Sequence, residues 1–249
     1  MKTNNHQALL YDDNCPLCAA YTKAFVKTGM LSNENRIAFS AINIQDFTID
    51  ANRARHEIPL VNTKTGEIKY GVDALAEILN QKFPFVKAAL SVSPVRYFFK
   101  KLYSFISYNR KIIVASKPAA GYCFDCSPDY SFKHRIGLVL FTWLLVNLLL
   151  IRSAISYCTT VHPALFLLWM LLPIMLIIGK TKQQVADILV HSGITALLSI
   201  IIFSFSVKIF SWLFTSYNLF ISVALLVTSG IFLHQLVRRY RFYNSTYFG

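Results

Sequence analysis

Residues 8–18 read Ala8-Leu9-Leu10-Tyr11-Asp12-Asp13-Asn14-Cys15-Pro16-Leu17-Cys18. An apolar, strand-like run ends in a tight polar turn, and two cysteines spaced by two residues then lead into a helix-compatible stretch from Ala19 to Thr28. A thiolate at the first turn of a helix is stabilised by unpaired backbone N–H groups and by the positive end of the helix dipole, so its pKa falls. Cys15 is therefore the expected attacking thiol. Cys18, one turn further along the same helical face, lies within disulfide reach and is the expected resolving thiol. Asp12 has two readings. It is a proton acceptor or orienting group for Cys18 during exchange, or it holds the turn and caps the helix by accepting backbone N–H groups.

Composition divides the chain. Residues 1–135 hold 18 of the 25 Lys and Arg and 11 of the 12 acidic residues, while the remaining 114 residues hold seven basic residues and Asp187. An apolar content of 55% is too high for an ordinary soluble protein, and the excess follows Arg135. Four apolar segments are expected to be spans, namely Ile136–Ile155, Pro163–Ile178, Ile188–Val207 and Leu219–Leu236, each near the ~20 residues a helix needs to cross a bilayer. Helices buried in a soluble core are the alternative, but one acidic group leaves too little polar surface for that. Lys133, Arg135, Lys180, Lys182, Arg238, Arg239 and Arg241 fall on one side of these spans, and Arg152 and Lys208 on the other. The bias puts the redox domain and both termini on the cytoplasmic side of an inner, cytoplasmic membrane. Met1 to Gln7 is polar and the apolar run after it is short, so no cleavable signal peptide is expected.

Within the first part the expected elements are a strand at Ala8–Tyr11, a helix over about Pro16–Gly29 and a strand at Arg36–Ala41. Strands at Ile58–Asn62 and Glu67–Tyr70 follow, joined by a Thr63–Gly66 turn, then a helix over Val72–Asn80 with Val72, Leu75, Ala76 and Leu79 on its core face. The order β-α-β, then β-β-α, is that of a thioredoxin-like domain. In that fold a proline opening the third strand, often cis, shapes the substrate-thiol groove. Pro59 holds that place; a cis bond is the expectation and an ordinary trans proline the alternative. The fold class is thus an α/β thioredoxin-like N-terminal domain followed by an all-α transmembrane four-helix region. The expected domains are 1–94, the redox domain; 95–135, a basic, aromatic juxtamembrane segment; and 136–249, the four transmembrane helices with a short basic tail.

Residues 11–18, together with Ile58 to Val61, Gly66, Tyr70-Gly71-Val72-Asp73-Ala74 and Tyr108-Asn109-Arg110, resemble the DCC family of thiol-disulfide oxidoreductases, whose opening motif is YDGxCxxC. The resemblance covers roughly residues 8–130 and leaves the spans outside it. It implies thiol-disulfide exchange and maps the family's Asp and two cysteines onto Asp12, Cys15 and Cys18. The family's glycine is Asp13 here, and a carboxylate beside Cys15 is expected to raise its pKa. Unlike thioredoxins, the chain has no Trp before the first cysteine, so general disulfide-reductase activity is not expected.

Cys123-Phe124-Asp125-Cys126 form a second pair about 105 residues on. It is a candidate relay dithiol, half of a four-thiolate metal site with Cys15 and Cys18, or two reduced structural thiols. Cys158, alone in a short loop, is read as inert or as an intermolecular partner. His191 and His234 are read as two histidines at similar membrane depth, either haem or quinone ligands or interfacial side chains hydrogen-bonded to their surroundings. Asn147 and the Ser and Thr residues of the third span are read as interhelical hydrogen-bonding groups.

A formal charge of +13 raises the question of nucleic acid. The run Arg96, Lys100, Lys101, Arg110, Lys111 and Lys117 leads toward a span, so anionic lipid explains it without a nucleic-acid partner. Val95–Ile113 is expected to be a helix that packs on the redox domain or lies on the bilayer surface. The sequence leads to a membrane-anchored thiol-disulfide oxidoreductase with Cys15 as nucleophile, acting on protein or small-molecule thiols and disulfides, with no cofactor assigned. The alternative is a non-enzymatic membrane protein whose thioredoxin-like domain is a docking or four-cysteine metal-binding module.

Overall fold

Residues Gln7–Tyr11, buried along their whole length, form β1, the strand on which both cores of the first unit are built. The computed structural model describes residues 6–42, 48–114, 128–156, 171, 173–213 and 217–247. They fall into two units, Met1–Ser131 and Phe132–Gly249.

In the first unit β1 pairs in parallel with β2 (Arg36–Ala38) and antiparallel with β3 (Pro59–Asn62). Strand β4 (Ile68–Tyr70) pairs antiparallel with β3, giving a mixed sheet of order β2-β1-β3-β4. Side chains alternate across a strand, so β1 serves two cores. Leu9 and Tyr11 pack with Ile58, Leu60, Ala74 and Ile78, whereas Leu10 packs with Phe39, Ile49, Ala54 and Val61. A one-residue slip of β1 would exchange the two sets, which is why a strand buried on both faces holds its register.

Helix α1 (Pro16–Lys27) connects β1 to β2. After the short α2 (Ala51–Ala54) and the β3–β4 hairpin, α3 (Gly71–Asn80), α4 (Phe85–Ser91) and α5 (Ser93–Ile113) follow. The hairpin turn is as expected, with the Gly66 N–H donating to the Asn62 carbonyl at 2.8 Å and Gly66 at φ +71°.

Several expectations change. Strand β2 ends at Ala38, and residues 39–41 form a 3-10 turn that points Phe39 into the second core. Helix α3 begins at Gly71 and buries Gly71, Ala74, Ala76 and Ile78, while Val72, Leu75 and Leu79 are half-buried. It is packed by the sheet on one side and α5 on another, so a single stripe does not describe its buried surface. There is no cis peptide bond among the described residues, so Ile58–Pro59 is trans, correcting the cis expectation. The backbone at this point is held on both sides of the proline, Ile58 by its neighbours and Pro59 by its pairing with Tyr70.

In the second unit the helices are α6 (Phe132–Ser156), α7 (Lys182–Leu213) and α8 (Tyr217–Tyr247). Two stretches, Phe132–Arg152 and Lys182–Ile209, are long and apolar enough to cross a membrane. They contain most of the first expected span and all of the third. The fourth lies within α8, and most of the second falls outside the described residues, so two crossings rather than four are supported by length and composition.

Val146, Ala196, Ile200, Phe232 and Leu236 form the core of this unit. The polar groups behave differently from the expectation. Ser192, Thr195 and Ser199 donate to the carbonyls of Ile188, His191 and Thr195, and Asn147 to that of Trp143, all one turn back in their own helices. A hydroxyl in an apolar surrounding satisfies itself most cheaply on the free lone pair of the nearest carbonyl. A cross-helix hydrogen bond comes instead from Trp143 Nε1 to the Leu189 carbonyl, at 3.1 Å. Arg135, counted among the cytoplasmic charges, is half-buried with its Nε 2.8 Å from Oδ1 of the buried Asp187. His191 is buried with its Nδ1 3.4 Å from Arg239 Nη1, while His234 is exposed, so the two histidines occupy different surroundings.

Two glycines test this packing. Gly71 has φ +56°, and a Cβ there would lie 3.3 Å from both Glu57 side-chain carbons and the Tyr103 ring, whereas Gly29 at φ +73° has open space. Gly71→Ala is expected to lower stability to urea by about 1–2 kcal/mol or more, and Gly29→Ala by less. Gly193 lies against Thr142, and a Cβ there would come 2.6 Å from Thr142 Oγ1. Gly193→Val is expected to cost about 1–3 kcal/mol by forcing α6 and α7 apart, read as a lower midpoint of thermal unfolding in detergent.

Candidate active site

The turn between β1 and α1 is built by Asp12. Its Oδ1 accepts the Asn14 N–H at 3.0 Å, and its carbonyl accepts the Cys15 N–H at 3.2 Å. Pro16 occupies the first turn of α1, where its missing N–H costs nothing, and Cys15 sits at the N-cap. The Cys18 N–H donates to Cys15 Sγ at 3.5 Å. A sulfur thus takes the place usually held by a Ser or Asp oxygen. Both cysteines are free thiols.

The two thiols differ in acidity for reasons visible around them. A hydrogen bond from the Cys18 thiol, with the Cys18 N–H and the Arg110 charge, brings Cys15 down to about 6, against its own burial and the Asp12 carboxylate. The Cys18 thiol is pushed up because it donates to Cys15 and because it is buried. Asp13 does not act on Cys15 as expected. Its Oδ2 accepts Ser40 Oγ at 2.8 Å, so the carboxylate that opposes the thiolate is that of Asp12.

Helix α5 completes the site, which the sequence reading did not foresee. Tyr103, Ser107 and Arg110 recur at spacings of four and three and form one stripe of the helix. The Ile58 N–H donates to the Tyr103 hydroxyl at 2.8 Å, Ser107 Oγ donates to the His56 carbonyl, and Arg110 Nη2 donates to the Arg55 carbonyl at 3.1 Å. The backbone just before Pro59 is therefore clamped at three points. The His56 ring also stacks on Tyr108, with ring centroids 4.7 Å apart.

Arg110 Nη2 also lies 3.5 Å from Asp12 Oδ2, and both side chains are buried. One guanidinium thus joins the cysteine turn to the loop before Pro59, and its charge favours both thiolates. This corrects the assignment of Arg110 to a lipid-facing basic run: it shares a stripe with Tyr103 and Ser107, and that stripe faces the domain. The available signal was Tyr108-Asn109-Arg110, one of the segments that carried the family resemblance. Tyr21 was also missed; burial, with the neighbouring Cys18, pushes its phenol well above its ordinary range.

Residues 9–115 match the family model for DCC1-like thiol-disulfide oxidoreductases. The matched region contains Asp12, Cys15, Cys18, Pro59 and Arg110 and ends just beyond α5. No curated protein and no solved structure matches the chain.

The other sites proposed from sequence are placed as follows. Pro59 is buried at the start of β3, opposite Tyr70. Cys123, Cys126 and Cys158 lie outside the described residues. No group of three or more His, Cys, Asp or Glu positioned to hold a metal occurs among the described residues. Cys15 is fully buried, although its chain neighbours Asn14 and Pro16 are half-buried and exposed, so a reagent reaches it through local opening of the turn.

The acidity of Cys15 is expected to show in its pH profile. Alkylation by iodoacetamide should have a midpoint near pH 6, set by the thiolate fraction, with the absolute rate reduced by burial. Arg110→Met removes a favourable charge and should move the midpoint up, toward that of a free thiol. Asp12→Asn keeps the turn acceptor, removes the opposing charge and should move it down.

Proposed function

We propose that the chain is a membrane-anchored thiol-disulfide oxidoreductase whose thioredoxin-like first unit exchanges disulfides through Cys15 and Cys18. The carrying observation is a low-pKa sulfur at the N-cap of α1, receiving the Cys18 N–H, inside the region matched to DCC1-like oxidoreductases. The sheet order and the β-α-β, β-β-α sequence of elements support the thioredoxin-like assignment.

In the reducing direction the Cys15 thiolate attacks one sulfur of a substrate disulfide. A mixed disulfide forms and the substrate's other sulfur leaves as a thiolate, which takes up a proton. Cys18 then loses its proton and attacks Cys15 Sγ, releasing the second substrate thiol and leaving a Cys15–Cys18 disulfide. Cys18 is held protonated until Cys15 is consumed, because its proton bridges to the Cys15 thiolate in the reduced pair. Asp12 holds the turn and orients Arg110, and Arg110 stabilises the thiolates. The clamped backbone before Pro59 forms the wall on which substrate lies. Reduction is the default in a cytoplasmic setting, with a supply of thiol reductant to return Cys15 and Cys18 to the dithiol.

The two long apolar helices support a membrane anchor, and the seven-to-two distribution of basic residues favours a redox unit at the inner face of the cytoplasmic membrane. The test is trapping. Cys18→Ser in the full-length chain is expected to accumulate mixed disulfides at Cys15, visible on non-reducing gels and abolished by Cys15→Ser. Absence of adducts from Cys18→Ser, with wild-type behaviour of Cys15→Ser, would overturn the proposal.

A further inference from the structure

Helix α5 is built inside out. Its polar stripe, Tyr103, Ser107 and Arg110, faces the domain; exposed Arg96 continues the stripe, its Nη2 bonding both Asp73 oxygens at 2.8 and 2.9 Å. Phe98, Phe99, Leu102 and Ile106, which fall at the i, i+1, i+4 and i+8 positions of one continuous face, are 60%, 45%, 40% and 41% exposed. In a helix that only packs on its own domain these two faces would be reversed. Residues 96–102 are exposed without interruption, as is Phe85 on α4.

The charges around this face point to its occupant. Between Glu77 and Asp125 the sequence has no acidic residue and eight basic ones. Lys101 flanks the aromatic face, its Nζ 5.2 Å from the Tyr97 ring centroid. A second copy would bring like charge against like charge, whereas an anionic bilayer surface is complementary to it. The combination of an aromatic and aliphatic face with basic flanks is that of a helix lying in a membrane interface. Only residues 114–131 separate α5 from α6, one of the two helices able to cross a membrane, so the chain tethers the C-terminal end of α5 within about 60–65 Å of the start of α6.

We infer that the Phe98, Phe99, Leu102 and Ile106 face of α5 lies on the anionic surface of the membrane, with Lys101 at the headgroups. The same helix then clamps the backbone before Pro59 from its other side, so the active site is carried at the lipid surface. The inference rests on the membrane reading proposed above and extends it to the redox unit.

The experiment uses the full-length chain in nanodiscs, with p-benzoylphenylalanine in place of Phe98 or of Leu102. Irradiation is expected to give lipid adducts at both positions in discs containing phosphatidylglycerol. Lys101→Glu should lower the adduct yield about tenfold in those discs and little in phosphatidylcholine discs. Crosslinks to protein in place of lipid, whether to a second copy or to another segment of the same chain, would overturn the inference. Failure of the chain to enter nanodiscs at all would overturn the membrane reading and this inference with it. Because the readout is a lipid adduct, it is independent of thiol exchange.

Discussion

A single buried guanidinium organises the first unit. Arg110 reaches across 98 residues of sequence to Asp12 while donating to the carbonyl of Arg55. A buried cation is costly unless its hydrogen bonds are met and a counter-charge is near, so placing it here commits three segments to one arrangement: the cysteine turn, the loop before Pro59 and α5. Its positive field then falls on the two sulfurs. The interaction that secures the tertiary structure is the same one that lowers the acidity barrier of the thiol.

The cysteine pair shows how small groups divide a task. Cys15 and Cys18 are the same residue type on the same helix, yet the proton lies with Cys18 because its thiol and its N–H both point at Cys15. Asp12 works against the thiolate by charge and for it by geometry, since its carboxylate holds both the Asn14 N–H and Arg110. Burial alone would raise both thiols. The hydrogen bond from the Cys18 thiol, then the Cys18 N–H at the N-cap and the arginine, reverse that for Cys15.

The second unit follows the physics of an apolar surrounding. The hydroxyls of Ser192, Thr195 and Ser199 and the Asn147 amide bond carbonyls of their own helices, and the small Gly193 of α7 lets α6 come close at Thr142. Its one acidic residue, Asp187, is held by Arg135. Close packing at Gly193, the Trp143–Leu189 hydrogen bond and the Arg135–Asp187 ion pair together join α6 and α7.

What the chain's order of residues determined by itself is local. The apolar run of β1, the turn at Asp12, Pro16 at the head of α1 and the two-residue spacing of the cysteines are short-range signals, and each was legible because apolar clustering, turn chemistry and helix capping act within a few residues. The division into a charged part and an apolar part was legible for the same reason, as composition needs no contacts. Tertiary structure alone decided which face of α5 turns inward, that Asp13 bonds Ser40 and leaves Asp12 to oppose the thiolate, and that Arg110 belongs to the site. Hydrophobic periodicity places apolar residues inside by default, and α5 inverts that default because its polar stripe meets backbone groups far away in sequence. Such pairings are set by which distant N–H, carbonyl and carboxylate groups the fold leaves open, and no local pattern records them.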